Sequence, residues 1–292
     1  MGIKHIFIIP DADRRHARRQ YLTDLFRQSP KKFRGALNGF PNENRLSEQE
    51  LLKLEERIKE FAETGEDPLY KDNLKDILDT NKILVPLDYL IDSYNRGGEI
   101  FDNIIKYVLN RDICNTLSIY GLQKRNLERT DEEVYAMLKV EPKFFRRWAE
   151  DKEIISQCNF KFVGDKKIFD LHKYRLNLKG GIEEFVNSAN ELEAKACGDK
   201  LKVYILAPYD SEWEINQAII NGKFNPNNLV VKEPVDLIIR SGNAKTPISG
   251  GLPYQTQFSQ FISIKEYFPD LTMERFQRVL NSCDNKERES GV

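Results

Sequence analysis

An unbroken apolar run, Ile6 to Ile9, stops on Pro10 and is followed at once by Asp11, Asp13 and the arginines Arg14, Arg15, Arg18 and Arg19. A short continuous run of this kind predicts a strand buried on both faces. The next residues predict a helix over 14–28 with Ala17, Tyr21, Leu25 and Phe26 as its inner stripe. Ser29-Pro30 ends it, and residues 30–45, rich in Gly, Pro and Asn, read as loop. Ser47-Glu48-Gln49-Glu50 is a capping box. It opens a helix whose buried side is Leu51, Leu52, Leu54, Ile58 and Phe61, closed by Gly65 and Pro68. Two further amphipathic pieces follow, over 69–78 and 87–94.

From there strands and helices alternate. The pattern predicts a helix over 98–110, a strand over 113–120, helices over 131–139 and from Pro142 to 155, and a short strand from Phe160. The first of those paired helices opens on a second capping box, Thr130-Asp131-Glu132-Glu133. A long helix over 173–196, with Gly180-Gly181 as a kink, precedes a strand over 201–207, a helix over 212–220, a strand over 235–240 and a last helix over 270–281. The charged tail after Cys283 reads as loose. Apolar strands alternating with helices predict an α/β fold with a central, mostly parallel sheet of about six strands and helices on both faces. Ligands of such sheets sit at the carboxyl ends of the strands. Those ends carry Asp11, Gln123 to Arg129, Tyr209 to Glu212 and Arg240 to Ser249.

Composition narrows the partners. The 292 residues (34.1 kDa) hold 45 basic and 46 acidic side chains, a net charge of -1, so no whole-molecule field attracts nucleic acid or an anionic membrane. Cys114, Cys158, Cys197 and Cys283 are scattered without a CxxC pair, which predicts reduced thiols and a cytoplasmic protein. No apolar run approaches the roughly 20 residues that span a bilayer, so membrane contact is at most peripheral.

Asp11 and Asp13 at the end of a strand, with Arg15 and Arg19 four apart on one helical face, make a compact site for a divalent metal and a diphosphate. The same stretch also fits a solvated helix start with i,i+4 ion pairs, and these residues alone leave both readings standing.

Five motifs in order resemble the cis-prenyltransferases, the undecaprenyl and dehydrodolichyl diphosphate synthase family. Asp11-Ala12-Asp13-Arg14-Arg15-His16-Ala17 is similar to that family's Asp-Gly-Asn-Gly-Arg-Trp-Ala. Tyr120 to Thr130, followed by Glu133-Val134, resembles its Tyr-Ala-Phe-Ser-x-Glu-Asn-Trp-x-Arg-Pro segment. Phe162-Val163-Gly164-Asp165, Asp236-Leu237-Ile238-Ile239-Arg240-Ser241-Gly242, and Phe258-Ser259-Gln260 with Phe268-Pro269-Asp270 complete the series. The likeness spans nearly the whole chain as one domain, apart from a helical insertion at about 28–93. It implies a fold like undecaprenyl diphosphate synthase, a prenyl diphosphate substrate, Mg²⁺ as cofactor, and a homodimer or a heterodimer with a related subunit. It further implies Asp11, Asn126 and Tyr94 as catalytic residues, and Arg15, Arg19, Arg129, Arg240, Lys245 and Ser249 as substrate-binding ones. Asp11, Asp13 and Gln260 fall at the metal positions.

The departures bear on activity. The family's metal-binding Glu is Gln260, its Asn is Asp13, its His before the second helix is Tyr94, and its Gly-Gly-Arg is Asp210-Ser211-Glu212. They point from long-chain elongation towards short-chain condensation, or coupling or cyclisation after ionisation. A non-catalytic subunit pairing with an active partner is the alternative reading. A glycosyltransferase built on Asp11-Ala12-Asp13 as a DxD metal site explains none of the later motifs.

Overall fold

A computed structural model describes residues 2–11, 13–38, 47–65, 85–172, 179–220, 225–242 and 248–283. Six strands, β1 (His5–Ile9), β2 (Thr116–Tyr120), β3 (Cys158–Val163), β4 (Leu201–Leu206), β5 (Leu237–Arg240) and β6 (Gln260–Ser263), form one sheet in the order β3-β4-β2-β1-β5-β6. Every pairing is parallel. Burial on both faces explains the unbroken apolar runs. Ile6 and Ile8 of β1 join a core with Leu117, Ile119, Ile205 and Ile239, while Phe7 and Ile9 join a second with Tyr120, Leu206, Ile238 and Leu252. From β1 the chain builds β2, β3 and β4 to one side and then returns to place β5 and β6 on the other. The order therefore reverses at β1, and a crevice opens at its carboxyl end.

Helices α1 (Asp13–Gln28), α2 (Pro30–Asn38), α3 (Glu48–Thr64), α4 (Leu87–Arg111), α5 (Asp131–Glu150), α6 (Lys152–Gln157), α7 (Lys167–His172), α8 (Lys179–Lys195), α9 (Ser211–Ile220) and α10 (Met273–Cys283) surround the sheet. The first core takes its outer residues from α4, α5, α8 and α10, and Trp213 of α9 packs on the second.

Several boundaries differ from those the pattern predicts. Residues 30–38 are helix rather than loop, because Pro30 suits a first helical turn and Phe33 and Leu37, four apart, are buried. They form a small core with Leu22, Leu54 and Ile58. In α3 the capping box forms as predicted, Gly65 caps the end at φ 73°, and Leu52 is exposed rather than buried. The pieces over 87–94 and 98–110 are one helix, α4, that runs straight through Gly97-Gly98. Close packing accounts for the second glycine: a Cβ on Gly98 would lie 2.1 Å from the Phe144 ring of α5. Pro142 lies inside α5 rather than opening a new helix. Buried Leu138 and Val140 before it, and Phe144, Phe145 and Trp148 after it, hold the helix across the lost hydrogen bond. Phe268–Asp270 is a 3-10 turn, so the last helix starts only at Met273. The predicted stretches over 69–78 and 173–178, and the tail beyond Cys283, lie outside the described residues.

The largest revision concerns α1. Its buried residues are Arg15, His16, Ala17, Arg18, Arg19, Leu22 and Thr23, whereas Tyr21, Leu25 and Phe26 are half-buried. The inner face of this helix is cationic.

Gly98→Ala is expected to cost about 1–3 kcal/mol by overpacking α4 against Phe144. Urea unfolding would read this as a lower midpoint at unchanged slope.

Candidate functional site

A polar cleft lies at the carboxyl end of β1, lined by Asp11, Asp13, Arg14, Arg15, Tyr94, Gln123, Asn126, Arg129, Arg240 and Ser249. Register brings its centre together. Ile9 pairs with Arg240 across β1 and β5, so Asp11, two residues past Ile9, meets the guanidinium. Arg240 donates to Asp11 Oδ2 at 2.9 Å and Arg15, one turn into α1, to Oδ1 at 3.3 Å. Arg15 also donates to the Gly242 carbonyl at 3.1 Å. The Asp11 backbone is fixed as well: its N–H donates to Ser241 Oγ at 2.7 Å, and its carbonyl accepts from Phe268 N–H at 3.1 Å. The two arginine side chains are 3% and 9% exposed against 31% for Asp11, so the carboxylate is the open face of this cluster.

Four arginines face two carboxylates in the lining, and the amino end of α1 adds partial positive charge. Burial, and then the neighbouring Asp11 charge, push Asp13 up to about 7. The cleft is therefore matched to an anion that carries several oxygens.

The other predicted residues divide. Asn126 Oδ1 accepts from Gln123 N–H at 2.7 Å, so its NH₂ is the side-chain group left for a ligand and it is no base. Tyr94 Oη is buried without a hydrogen-bond partner among the described residues, and burial pushes its phenol above the ordinary range. It stays protonated and can donate, not accept, a proton. Ser249 enters on a loop whose Gly251 is seated on Phe7, where a Cβ would come within 2.7 Å of the ring. The Ser249 carbonyl accepts from Gln123 Nε2 at 2.9 Å.

Arg19 does not reach the cleft. It donates to Asp270 at 2.8 Å, with its guanidinium 4.4 Å from the centre of the Phe61 ring and 5.2 Å from that of Tyr267. Although burial opposes it, His16 and Arg19 together hold the Asp270 carboxyl well below the usual carboxylate range. Gln260 also stands apart. It opens β6 opposite Leu237, and Arg240 pairs with Ser263, so Gln260 sits three residues, about 10 Å, nearer the amino ends of the strands. Lys245 lies outside the described residues.

Asp11 and Asp13 are thus the carboxylates that share the cleft, and among the described residues no group of three or more metal-binding side chains converges. Two carboxylates still suit Mg²⁺ that shares its remaining positions with substrate phosphates and water. Asp13, raised by burial and then by Asp11's charge, is the group such a cation would ionise.

Behind Asp13 and Tyr94, which line both, the cleft gives onto an apolar pocket walled by Gly98, Phe101, Phe144, Trp148 and Phe268. Glu141 lines it too, and burial followed by the Asp13 charge pushes that carboxyl up to about 8. Its signal was present in the sequence: Val134, Met137, Glu141, Phe144 and Trp148 fall three and four apart, which puts one acid on an apolar stripe. Glu133 is a second unforeseen member. Thr130 Oγ1 caps its N–H at 3.4 Å, but its carboxylate pairs with Arg14 at 3.4 Å and Arg18 at 3.8 Å instead of closing a capping box.

The prenyltransferase family model described as undecaprenyl diphosphate synthase matches residues 88–291, a segment that begins after β1 and α1. The chain is 24% identical, over 220 residues, to the ditrans,polycis-undecaprenyl-diphosphate synthase ((2E,6E)-farnesyl-diphosphate specific) of Escherichia coli (strain K12). That alignment covers 68% of this chain and 80% of that protein. An isoprenyl transferase of Campylobacter jejuni (strain RM1221) is 26% identical over 207 residues, 68% and 87% of the two chains. In fold the chain is similar to a probable undecaprenyl diphosphate synthase from Campylobacter jejuni, with TM-score 0.54, 23% identity, and coverage of 68% and 92%. It is also similar to lavandulyl diphosphate synthase from Lavandula x intermedia in complex with dimethylallyl diphosphate. There the TM-score is 0.54, identity 17%, and coverage 74% and 93%.

Because burial lets the folded Glu141 keep its proton up to about pH 8 while an unfolded one loses it near the ordinary 4.5, the native state binds the extra proton in between. Its contribution to stability is complete below that lower value and is lost as pH rises through about 8. Glu141→Gln is expected to flatten this loss. Relative to the wild type, its melting temperature should gain roughly 2–4 °C between pH 5 and pH 9, read by scanning calorimetry.

Proposed function

Since the chain belongs to the undecaprenyl diphosphate synthase family of prenyltransferases, we propose that it transfers short prenyl groups from an allylic prenyl diphosphate. The observation that carries this reading is a pair of adjoining cavities with two chemistries: an arginine-lined cleft and an apolar pocket that shares Pro10, Asp13, Tyr94 and Gly121 with it. A diphosphate head with a hydrocarbon tail fits that sequence of surfaces.

Arg15, Arg129 and Arg240 hold the diphosphate, with the amino end of α1 directed at it. As the allylic C–O bond breaks, its electron pair leaves on a diphosphate oxygen, and these fixed donors stabilise the growing charge without having to reorganise. Asn126 and Ser249 position the second substrate, isopentenyl diphosphate in a condensation. Asp11 keeps Arg15 and Arg240 in place and, with Asp13, would hold Mg²⁺. Bound there, the cation would screen the diphosphate charge. Tyr94 closes the boundary between cleft and pocket as a neutral phenol.

Tail length follows from volume. A cavity of about 150 Å³ is enough to hold benzene. The apolar pocket here, at about 80 Å³, is smaller still, so a growing polyprenyl chain has no room in it as it stands. That favours short-chain condensation, or coupling or cyclisation after ionisation, over long elongation. The arginine cleft speaks against a purely non-catalytic subunit, since a scaffold has no use for it. The apolar pocket behind Asp13 speaks against a sugar-nucleotide donor.

The segment over 28–93 we read as an insertion within a single domain, one that braces α1. Its Phe61 covers the guanidinium of Arg19, which ties α1 to Asp270. Among the described residues no helix is long and apolar enough to cross a membrane. β6 ends the sheet, and Phe258 beside it is 92% exposed, which supports pairing with a second copy or a related subunit through that edge.

Diphosphate release from dimethylallyl or geranyl diphosphate with Mg²⁺, with and without isopentenyl diphosphate, tests the reading. No release from any of these substrates would overturn it. Arg15→Ala should lower kcat/KM about tenfold to hundredfold, the loss of one charge-assisted hydrogen bond to the substrate, with a smaller drop in melting temperature than at Arg19 because Asp11 keeps Arg240. Arg19→Ala should act the other way, costing about 3–5 kcal/mol of stability by leaving Asp270 without its arginine.

A further inference from the structure

Glu141 is the unexplained group in the tail pocket. It projects from the apolar stripe of α5, and its Oε2 is shut off from solvent with no hydrogen-bond partner among the described residues. Tyr94 Oη, on the opposite wall in α4, is in the same condition. No lysine, arginine or histidine lines this pocket; the ionisable groups that do are Asp13, Tyr94 and Glu141. The remaining walls are aromatic or aliphatic, among them Phe101, Phe144, Trp148 and Phe268.

A carboxyl oxygen buried without a partner is costly and calls for a physical explanation. A neutral hydrocarbon tail cannot supply one, because it offers neither a donor nor a charge. A positive charge on that tail can. Carboxyl groups and aromatic rings lining one pocket are surroundings that favour a cation from which water is kept away.

We propose that Glu141 faces the carbocation left on the prenyl group when the diphosphate departs, and so decides which carbon carries the charge and where the next bond forms. This rests on the prenyl diphosphate reading above. The geometry separates the two products of ionisation. The diphosphate, with the bonding electron pair, stays with Arg15, Arg129 and Arg240 in the cleft. The electron-poor carbon lies behind Asp13, where the nearest carboxyl beyond it is Glu141. An allylic cation spreads its charge over two carbons, and a fixed negative group nearer one of them biases the attack to that end. The same cation favours the ionised form of Glu141, reversing the effect of burial, and the proton Glu141 gives up goes to the departing diphosphate, the base in the cleft.

Isothermal titration calorimetry of the full chain with two analogues tests this. One is dimethylallyl thiolodiphosphate, whose tail is neutral; the other is 2-(dimethylamino)ethyl diphosphate, whose protonated tail carries the charge. The wild type is expected to prefer the ammonium analogue. Glu141→Gln and Glu141→Leu should each weaken the ammonium analogue about tenfold or more while changing the neutral one by less than about twofold. Glu141→Asp should keep most of the preference. If both variants retain the wild-type preference, or lose both analogues equally, the proposal is overturned and Glu141 is only a wall residue. Gln is isosteric and Leu is apolar, so a folding failure of one leaves the other to decide. A wild type that binds neither analogue would contradict the prenyl diphosphate reading itself, an outcome distinct from loss of the ammonium preference alone.

Discussion

Asp11 is the counterion on which the cleft depends. Arg15 and Arg240 are both buried, one on α1 and one at the end of β5, and two guanidinium groups taken out of water need a negative charge between them. Asp11 supplies it from the end of β1, with its backbone clamped by Ser241 and Phe268. Three separate parts of the chain are thereby fixed around one carboxylate that is still partly open to solvent. A ligand phosphate approaching that opening meets cations already oriented, with their reorganisation completed on folding.

The same logic explains why the inner face of α1 carries charge where an ordinary amphipathic helix would carry leucine. Arg15 turns to Asp11, Arg18 to Glu133, and Arg19 and His16 to Asp270. Each buried arginine has an acid on a different element, so α1 is keyed in place by directional pairs. Such pairs add little net stability over apolar packing, but they define one arrangement and penalise shifted ones. Apolar packing enters further along the same face of α1, where Leu22, seven residues past Arg15, joins Phe33, Leu37, Leu54 and Ile58. The two ends of that face divide the labour: ion pairs fix the first turns of the helix, and the added helices cover the apolar residue that follows.

Much of the fold was legible because its rules are local. Parallel strands buried on both faces read as apolar runs, and Ser47 to Glu50 read as a helix start because a capping box needs only its own four residues. Five motifs in order pointed to the family, and Asp11, Arg15 and Arg240 fall together in the cleft. What misled the reading was non-local. Gly97-Gly98 and Pro142 look like breaks, yet packing between α4 and α5 carries both helices through them. Arg19 has the spacing of a phosphate ligand, but Asp270 lies 251 residues away in the chain and no spacing rule could reveal that it claims the guanidinium.

The sequence by itself determined the strand and helix alternation, the position of the crevice at the strand ends, and the chemical character of the cleft. Each depends on periodicity or on residue type within a few positions, which the chain states directly. Only the tertiary structure decided which arginines face the cleft, that Gln260 stands at the other end of the strands, and that Glu141 lies in an apolar pocket beyond Asp13. Those depend on register and on contacts between distant segments, where a shift of one residue or one helical turn changes what a side chain meets. The Asp-Ala-Asp-Arg-Arg turn announced a site; the packing of β5, α4 and α5 around it determined its shape.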